Sequence, residues 1–178
     1  MKHPTQSTLY VHIPFCNTIC PFCNFTKQKT NPTLFNRYTE ACCHEMSFYH
    51  HNPKIKLKSI FFGGGTPSVL PKSYLKDLMT MIHHYFDTQS LAEVTIEINP
   101  EDVSQGYLEY LHDIGITRIS LGVQSFLDSE CAYLGRGHTP DQSHIALALI
   151  KTFSFDLNID LMFGFAHSTR DSVLLSCK

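Results

Sequence analysis

The sequence lacks any run of lysine or arginine, and its formal net charge is only −2. Nucleic acid is therefore not an expected partner. No apolar stretch approaches the ~20 residues that cross a bilayer, so no transmembrane segment is expected. The opening residues, Met1 to Thr8, are short and polar and read as neither a signal nor a transit peptide. Repeats, low-complexity segments and long linkers are also missing. Charged residues make up 17% of the 178 against 43% hydrophobic. That is too apolar for disorder and long enough for one domain with a sizeable core.

Cysteine, by contrast, is plentiful. There are seven, an odd number, and Cys16, Cys20 and Cys23 fall within eight residues. A secreted disulfide framework fits this poorly, and metal-bound thiolates in a reducing compartment fit it better. The expected location is the cytoplasm, or an organelle matrix such as the mitochondrial one if a targeting segment precedes this sequence.

Hydrophobic periodicity predicts alternating strands and helices. Strands are expected over residues 9–13, 59–62, 94–98, 117–123 and 158–163. Asn31-Pro32 opens a first helix with an Asn cap and Pro at its first position. A second helix follows Pro71, and a third carries Tyr107, Leu108 and Leu111 and stops at Gly115. Thr139-Pro140-Asp141-Gln142 reads as a capping box for a fourth, running to about Ile150. After the last strand only a few polar residues are expected. Such spacing suits βαβ crossovers and a parallel α/β sheet, with chemistry at the carboxyl ends of the strands.

Cys16, Cys20 and Cys23 form a C-x₃-C-x₂-C loop. Three thiolates on one short loop can hold three irons of a cube and leave the fourth without a protein ligand. An open coordination position is what a reactive site needs. The same thiols would also suit zinc, with His12, Cys42, Cys43 or His44 as a fourth ligand. Cys42 lies on the apolar face of the first helix and reads as core, while Cys43, Cys131 and Cys177 have no metal spacing.

The motifs around that loop resemble those of the radical S-adenosylmethionine (SAM) family. The subgroup is that of the oxygen-independent coproporphyrinogen III oxidases and the related haem chaperones called HemW. The resemblance rests on Tyr10-Val11-His12-Ile13-Pro14-Phe15-Cys16, Phe61-Phe62-Gly63-Gly64-Gly65-Thr66-Pro67-Ser68 and Glu97-Ile98-Asn99-Pro100-Glu101. It continues through Ile119-Ser120-Leu121-Gly122-Val123-Gln124-Ser125-Phe126, Leu134-Gly135-Arg136-Gly137-His138 and Ile159-Asp160-Leu161-Met162-Phe163-Gly164. It implies a partial parallel (β/α) barrel, here ending after about five strands. The 178 residues would then be the N-terminal part of a radical SAM core domain, without the family's C-terminal domain.

By the same resemblance, Cys16, Cys20 and Cys23 hold a [4Fe–4S] cluster whose open iron chelates SAM. An electron from the cluster then cleaves SAM to methionine and a 5′-deoxyadenosyl radical, so an electron donor is an implied partner. The resemblance also implies that Gly64, Gly65, Thr66 and Glu97 contact SAM, and that Tyr10 and Phe22 line its pocket. Gln124, Arg136 and Asp160 are carried over as further SAM-site residues, although Arg136 and Asp160 could instead form a structural ion pair. No catalytic residue is assigned. His12 and His138 match the family pattern too, but each reads as a packed or hydrogen-bonded residue.

The oxidases carry another cysteine two residues after the third cluster cysteine, where this sequence has Phe25. Phenylalanine there is the haem-chaperone pattern, so haem and haem-receiving proteins are possible partners. Coproporphyrinogen oxidase activity is the alternative. One stretch departs from the family, with Phe165-Ala166-His167-Ser168-Thr169 where Leu-Pro-Gly-Gln-Thr is usual.

Overall fold

A computed structural model describes residues 6–51 and 53–177; the expected domain limits, 1 and 178, lie outside them. Five strands form one parallel sheet: β1 (Ser7–Ile13), β4 (Leu57–Gly64), β5 (Glu93–Ile98), β6 (Arg118–Gln124) and β7 (Asp156–Leu161). They lie side by side in chain order, β1-β4-β5-β6-β7. Between them run α1 (Phe35–Ser47), α2 (Lys72–Tyr85), α3 (Gln105–Asp113), α4 (Asp128–Tyr133) and α5 (Pro140–Ile150), and α6 (Arg170–Ser176) follows. Two-residue strands β2 (Phe15–Cys16) and β3 (Gln28–Lys29) pair across the cysteine loop.

Sequential parallel strands joined by right-handed crossovers place every crossover helix on the same face of the sheet. The side chains agree. Val11 and Ile13, Ile60 and Phe62, Val94, Ile96 and Ile98, and Ile119, Leu121 and Val123 all point to that face. They meet Leu75, Leu78, Ile82, Leu108, Leu111, Ala146 and Ile150 in one core. Each large apolar side chain buried there contributes roughly 1.5–3 kcal/mol.

Residues of the opposite parity line the other face, which is polar. Thr8 bonds Ser59 at 3.0 Å, the Thr95 hydroxyl donates to Glu93 at 2.8 Å, and the Asn158 amide donates to Ser120 at 3.0 Å. The sheet thus has one apolar face, covered by the helices, and one polar face. This is the expected parallel α/β architecture.

Several elements differ from expectation. β7 starts and ends two residues early: Asp156 N–H bonds the Thr117 carbonyl at 2.9 Å, and Gly164 turns the chain at φ +82°. Asn31 caps as expected, its Oδ1 accepting from Thr33 N–H at 3.1 Å, but first over a 3₁₀ turn, Pro32–Leu34. The polar residues after β7 are in fact a helix, α6, whose cap pairs Thr169 with Ser172 where a Glu or Gln signature would be looked for. The departing stretch before it is packed too, since Tyr133 stacks on Phe165 and meets His167 edge-on. No helix among the described residues is long and apolar enough to cross a membrane.

Candidate functional site

At the carboxyl ends of the strands lies a cavity of about 170 Å³. Its walls are the cysteine loop on one side and the ends of β4, β5, β6 and β7 on the other. Cys16, Cys20, Phe22, Cys23, Gly64, Gly65, Thr66, Glu97, Gln124, Arg136 and Asp160 all line it. Of the residues assigned from the sequence to the cluster or to SAM, Tyr10 alone lies outside that lining. It sits half exposed on the same sheet face, stacked on Phe61, and its hydroxyl donates to His12 Nδ1 at 3.1 Å.

The thiols are fixed unevenly. Cys16 is buried, held by β2 and by the Thr66 hydroxyl, which donates to its sulfur at 3.7 Å. Burial pushes the Cys16 thiol up, and the neighbouring Cys23 and Cys20 thiols push the same way. Arg136 Nη1 donates to Cys20 Sγ at 3.2 Å. Lys27 reaches back to the Cys23 carbonyl and closes the loop. Among the described residues, no group of three or more His, Cys, Asp or Glu side chains is placed to hold a single ion; a structural zinc site takes four such ligands.

The glycines admit the loop. A Cβ on Gly65 would lie 2.6 Å from the Phe15 carbonyl oxygen and 2.9 Å from Cys16 Sγ. Gly64 adopts φ +115°, and a Cβ there would meet the His12 ring at 2.6 Å. His12 is held where it is because its Nε2 donates to the Thr26 carbonyl at 2.8 Å.

Glu97 points inward from β5 and accepts from Gly64 N–H at 3.1 Å. Burial pushes its carboxyl above the ordinary 4.5, and the Asp160 carboxylate adds to that rise. Asp160 accepts from Ser120 at 3.0 Å and from Asn158 at 2.7 Å. Arg136 is not paired with Asp160: its Nη2 donates to Asn99 Oδ1 at 2.7 Å and to the Gly122 carbonyl at 2.8 Å. Its buried Nε has no protein partner among the described residues. The donor set therefore combines three thiols, the Glu97, Glu101 and Asp160 carboxylates, and the Arg136 and Lys27 side chains around a single space. That chemistry suits a cluster with one open iron and a zwitterionic ligand beside it.

Two half-buried contributors escaped the sequence reading: Asn99, which bridges Arg136 and the Thr66 hydroxyl, and Lys27 on the loop. The Asn99-Pro100 break was the one local signal for the first.

Known proteins resemble this chain in sequence and in fold. The Radical SAM superfamily profile matches residues 10–176. The haem chaperone HemW of Lactococcus lactis is 36% identical over 168 residues, covering 94% of this chain and 44% of that protein. The oxygen-independent coproporphyrinogen III oxidase of Salmonella typhimurium is 31% identical over 176 residues, 96% of this chain and 38% of that protein. The structure of coproporphyrinogen III oxidase (HemN) from Escherichia coli superposes with a TM-score of 0.86 at 28% identity, over 97% of this chain and 40% of that one. The chain thus spans less than half the length of these relatives. It belongs to the radical SAM superfamily.

Proposed function

We propose that this chain binds a [4Fe–4S] cluster through Cys16, Cys20 and Cys23, and SAM at the iron left open, within a protein of haem trafficking. The observation that carries the reading is that three thiols on one loop open onto the same cavity as the Glu97 carboxylate. When bound and reduced, the cluster would supply the electron for reductive cleavage of the SAM sulfonium. The protein's part is placement. Glu97 would accept from the SAM ammonium, the backbone at Gly64 and Gly65 admits close approach, and Thr66 steadies Cys16. Arg136 faces Cys20 from the cavity wall. Gln124 and Asp160 close the far side, and Phe22 supplies an apolar wall.

The haem-chaperone assignment rests on Phe25 and on the relatives named HemW. Phe25 lines the cavity and is 68% exposed. It offers no thiol where the oxidases carry one. The alternative is oxidative decarboxylation of coproporphyrinogen III, which the backbone match to the oxidase favours.

Anaerobic iron–sulfur reconstitution tests the core of this reading. About four irons per chain are expected, lost on Cys16→Ala, Cys20→Ala or Cys23→Ala and retained on Cys42→Ala. Equal loss from Cys42→Ala, or stoichiometric zinc without iron, would reject it.

A further inference from the structure

Four residues, Gly135 to His138, run as a strap over the cavity between two capped helix ends. At the start, Gly135 N–H bonds Ala132 O at 3.1 Å and Arg136 N–H bonds Cys131 O at 3.0 Å. With Gly135 at φ +63° this is a Schellman ending of α4. At the far end Thr139 caps α5. The strap stitches together the same two segments twice. Arg136 takes Asn99 on the turn after β5 and Gly122 on β6. His138 takes Glu101 on that turn, at 3.0 Å, and the Val123 carbonyl on β6, at 3.1 Å.

The Val123 carbonyl has a second donor, Ser125 N–H at 2.9 Å. That bond closes a three-residue turn with Gln124 at its centre, at φ +71°. Gln124 is the one non-glycine residue at positive φ among the described residues. Such turns are rare and strained, and they persist only where surroundings hold them.

Both ring nitrogens of His138 face oxygens, and its side chain is wholly buried. A carbonyl can only accept, so Nε2 carries a proton. The ring Nδ1 lies 3.0 Å from Glu101 Oε2. The other charged groups facing the pair are Arg136 from the strap and Asp102 from the turn. His138 and Arg136 both hold the Glu101 carboxyl below the usual range against the opposing effect of burial.

We infer that His138 is a positioning residue: hydrogen-bonded between Glu101 and the Val123 carbonyl, it fixes Arg136 and Gln124 at the cavity. Neither member of the pair lies in the cluster set; Glu101 reaches the cavity wall and His138 does not. A buried polar group left without its partner is costly, so loss of either member frees the strap and relaxes the Gln124 turn. The consequence for SAM rests on the function proposed above; the clamp itself does not.

Two readouts separate them. Amide hydrogen exchange of the metal-free chain should find the Arg136 and Ser125 N–H groups protected, and about tenfold faster to exchange in Glu101→Gln and in His138→Gln. Exchange at both positions unchanged in both variants overturns the inference. In reconstituted protein of unchanged iron content, Glu101→Gln and His138→Gln should each weaken SAM binding about tenfold. The double variant should be no worse than either single one, since the pair acts as a unit. Wild-type affinity in both single variants would overturn the positioning role. A wild type that binds no SAM would reject the proposed function, and the exchange result would still decide the clamp.

Discussion

Replacing Gly65 by alanine adds one methyl group at the place where the cysteine loop crosses β4. The new Cβ would stand 2.6 Å from the Phe15 carbonyl oxygen, 2.9 Å from Cys16 Sγ and 3.0 Å from the Ile13 carbonyl oxygen. Two of these are main-chain atoms that cannot swing away. The Phe15 and Ile13 carbonyls each accept a 2.7 Å bond, from Thr66 N–H and Gly65 N–H. Backing off by several tenths of an ångström loosens both bonds and displaces Cys16 with them. Overpacking of this kind costs about 1–3 kcal/mol, and one weakened buried hydrogen bond adds about 1 kcal/mol. Gly106 in α3 is the internal control, because a Cβ there meets nothing within 4 Å. Gly106→Ala should stabilise by about 0.5–1 kcal/mol through helix propensity alone. Urea unfolding of the three metal-free proteins measures both effects, and iron content after reconstitution reads the loop. A Gly65→Ala chain as stable as wild type, with full iron, would refute the claim that backbone contact at this glycine sets the loop.

Other outcomes follow from the same geometry. Glu97 has its carboxyl raised by burial, so its contribution to stability is full below the ordinary 4.5 and fades as pH rises through the raised value. Glu97→Gln should therefore leave the metal-free chain at least as stable at pH 7 by thermal melting, yet weaken SAM binding; a destabilised variant would contradict the sign. Phe25 predicts no decarboxylation of coproporphyrinogen III even by a chain extended to the relatives' length, and clear turnover would promote the oxidase reading. Among the described residues β7 pairs only with β6, and Ile159, Phe163, Leu174 and Leu175 are exposed nearby. The 178-residue chain should self-associate in light scattering, less so with Ile159→Lys; a monodisperse monomer would show the five-stranded unit to be self-sufficient.

The framework was legible because its signals are local. Alternation in β6 separates Ile119, Leu121 and Val123 from Ser120 and Gly122, and Thr139-Pro140-Asp141-Gln142 is a complete cap in four residues. The site was legible through resemblance more than through pattern: nothing near Glu97 in the chain says that it meets Gly64. What escaped depends on distant partners or short lengths. The six residues of α4 are too few to show a helical period. β2 and β3 exist only because the cysteine loop folds back on itself. Tyr10 could be placed before the loop from sequence, but its strand register against Phe61 keeps it out of the cavity lining. The pairing of His138 with Glu101 spans 37 positions and joins two motifs that look unrelated along the chain.

The central claim is that one cavity serves both the cluster thiols and SAM. Electron paramagnetic resonance of the reconstituted, reduced protein, recorded with and without SAM, tests it most directly. A [4Fe–4S] signal that shifts on adding SAM is expected, with the shift diminished in Glu97→Ala at unchanged iron content. A spectrum indifferent to SAM in the wild type, with the cluster fully loaded, would contradict the account.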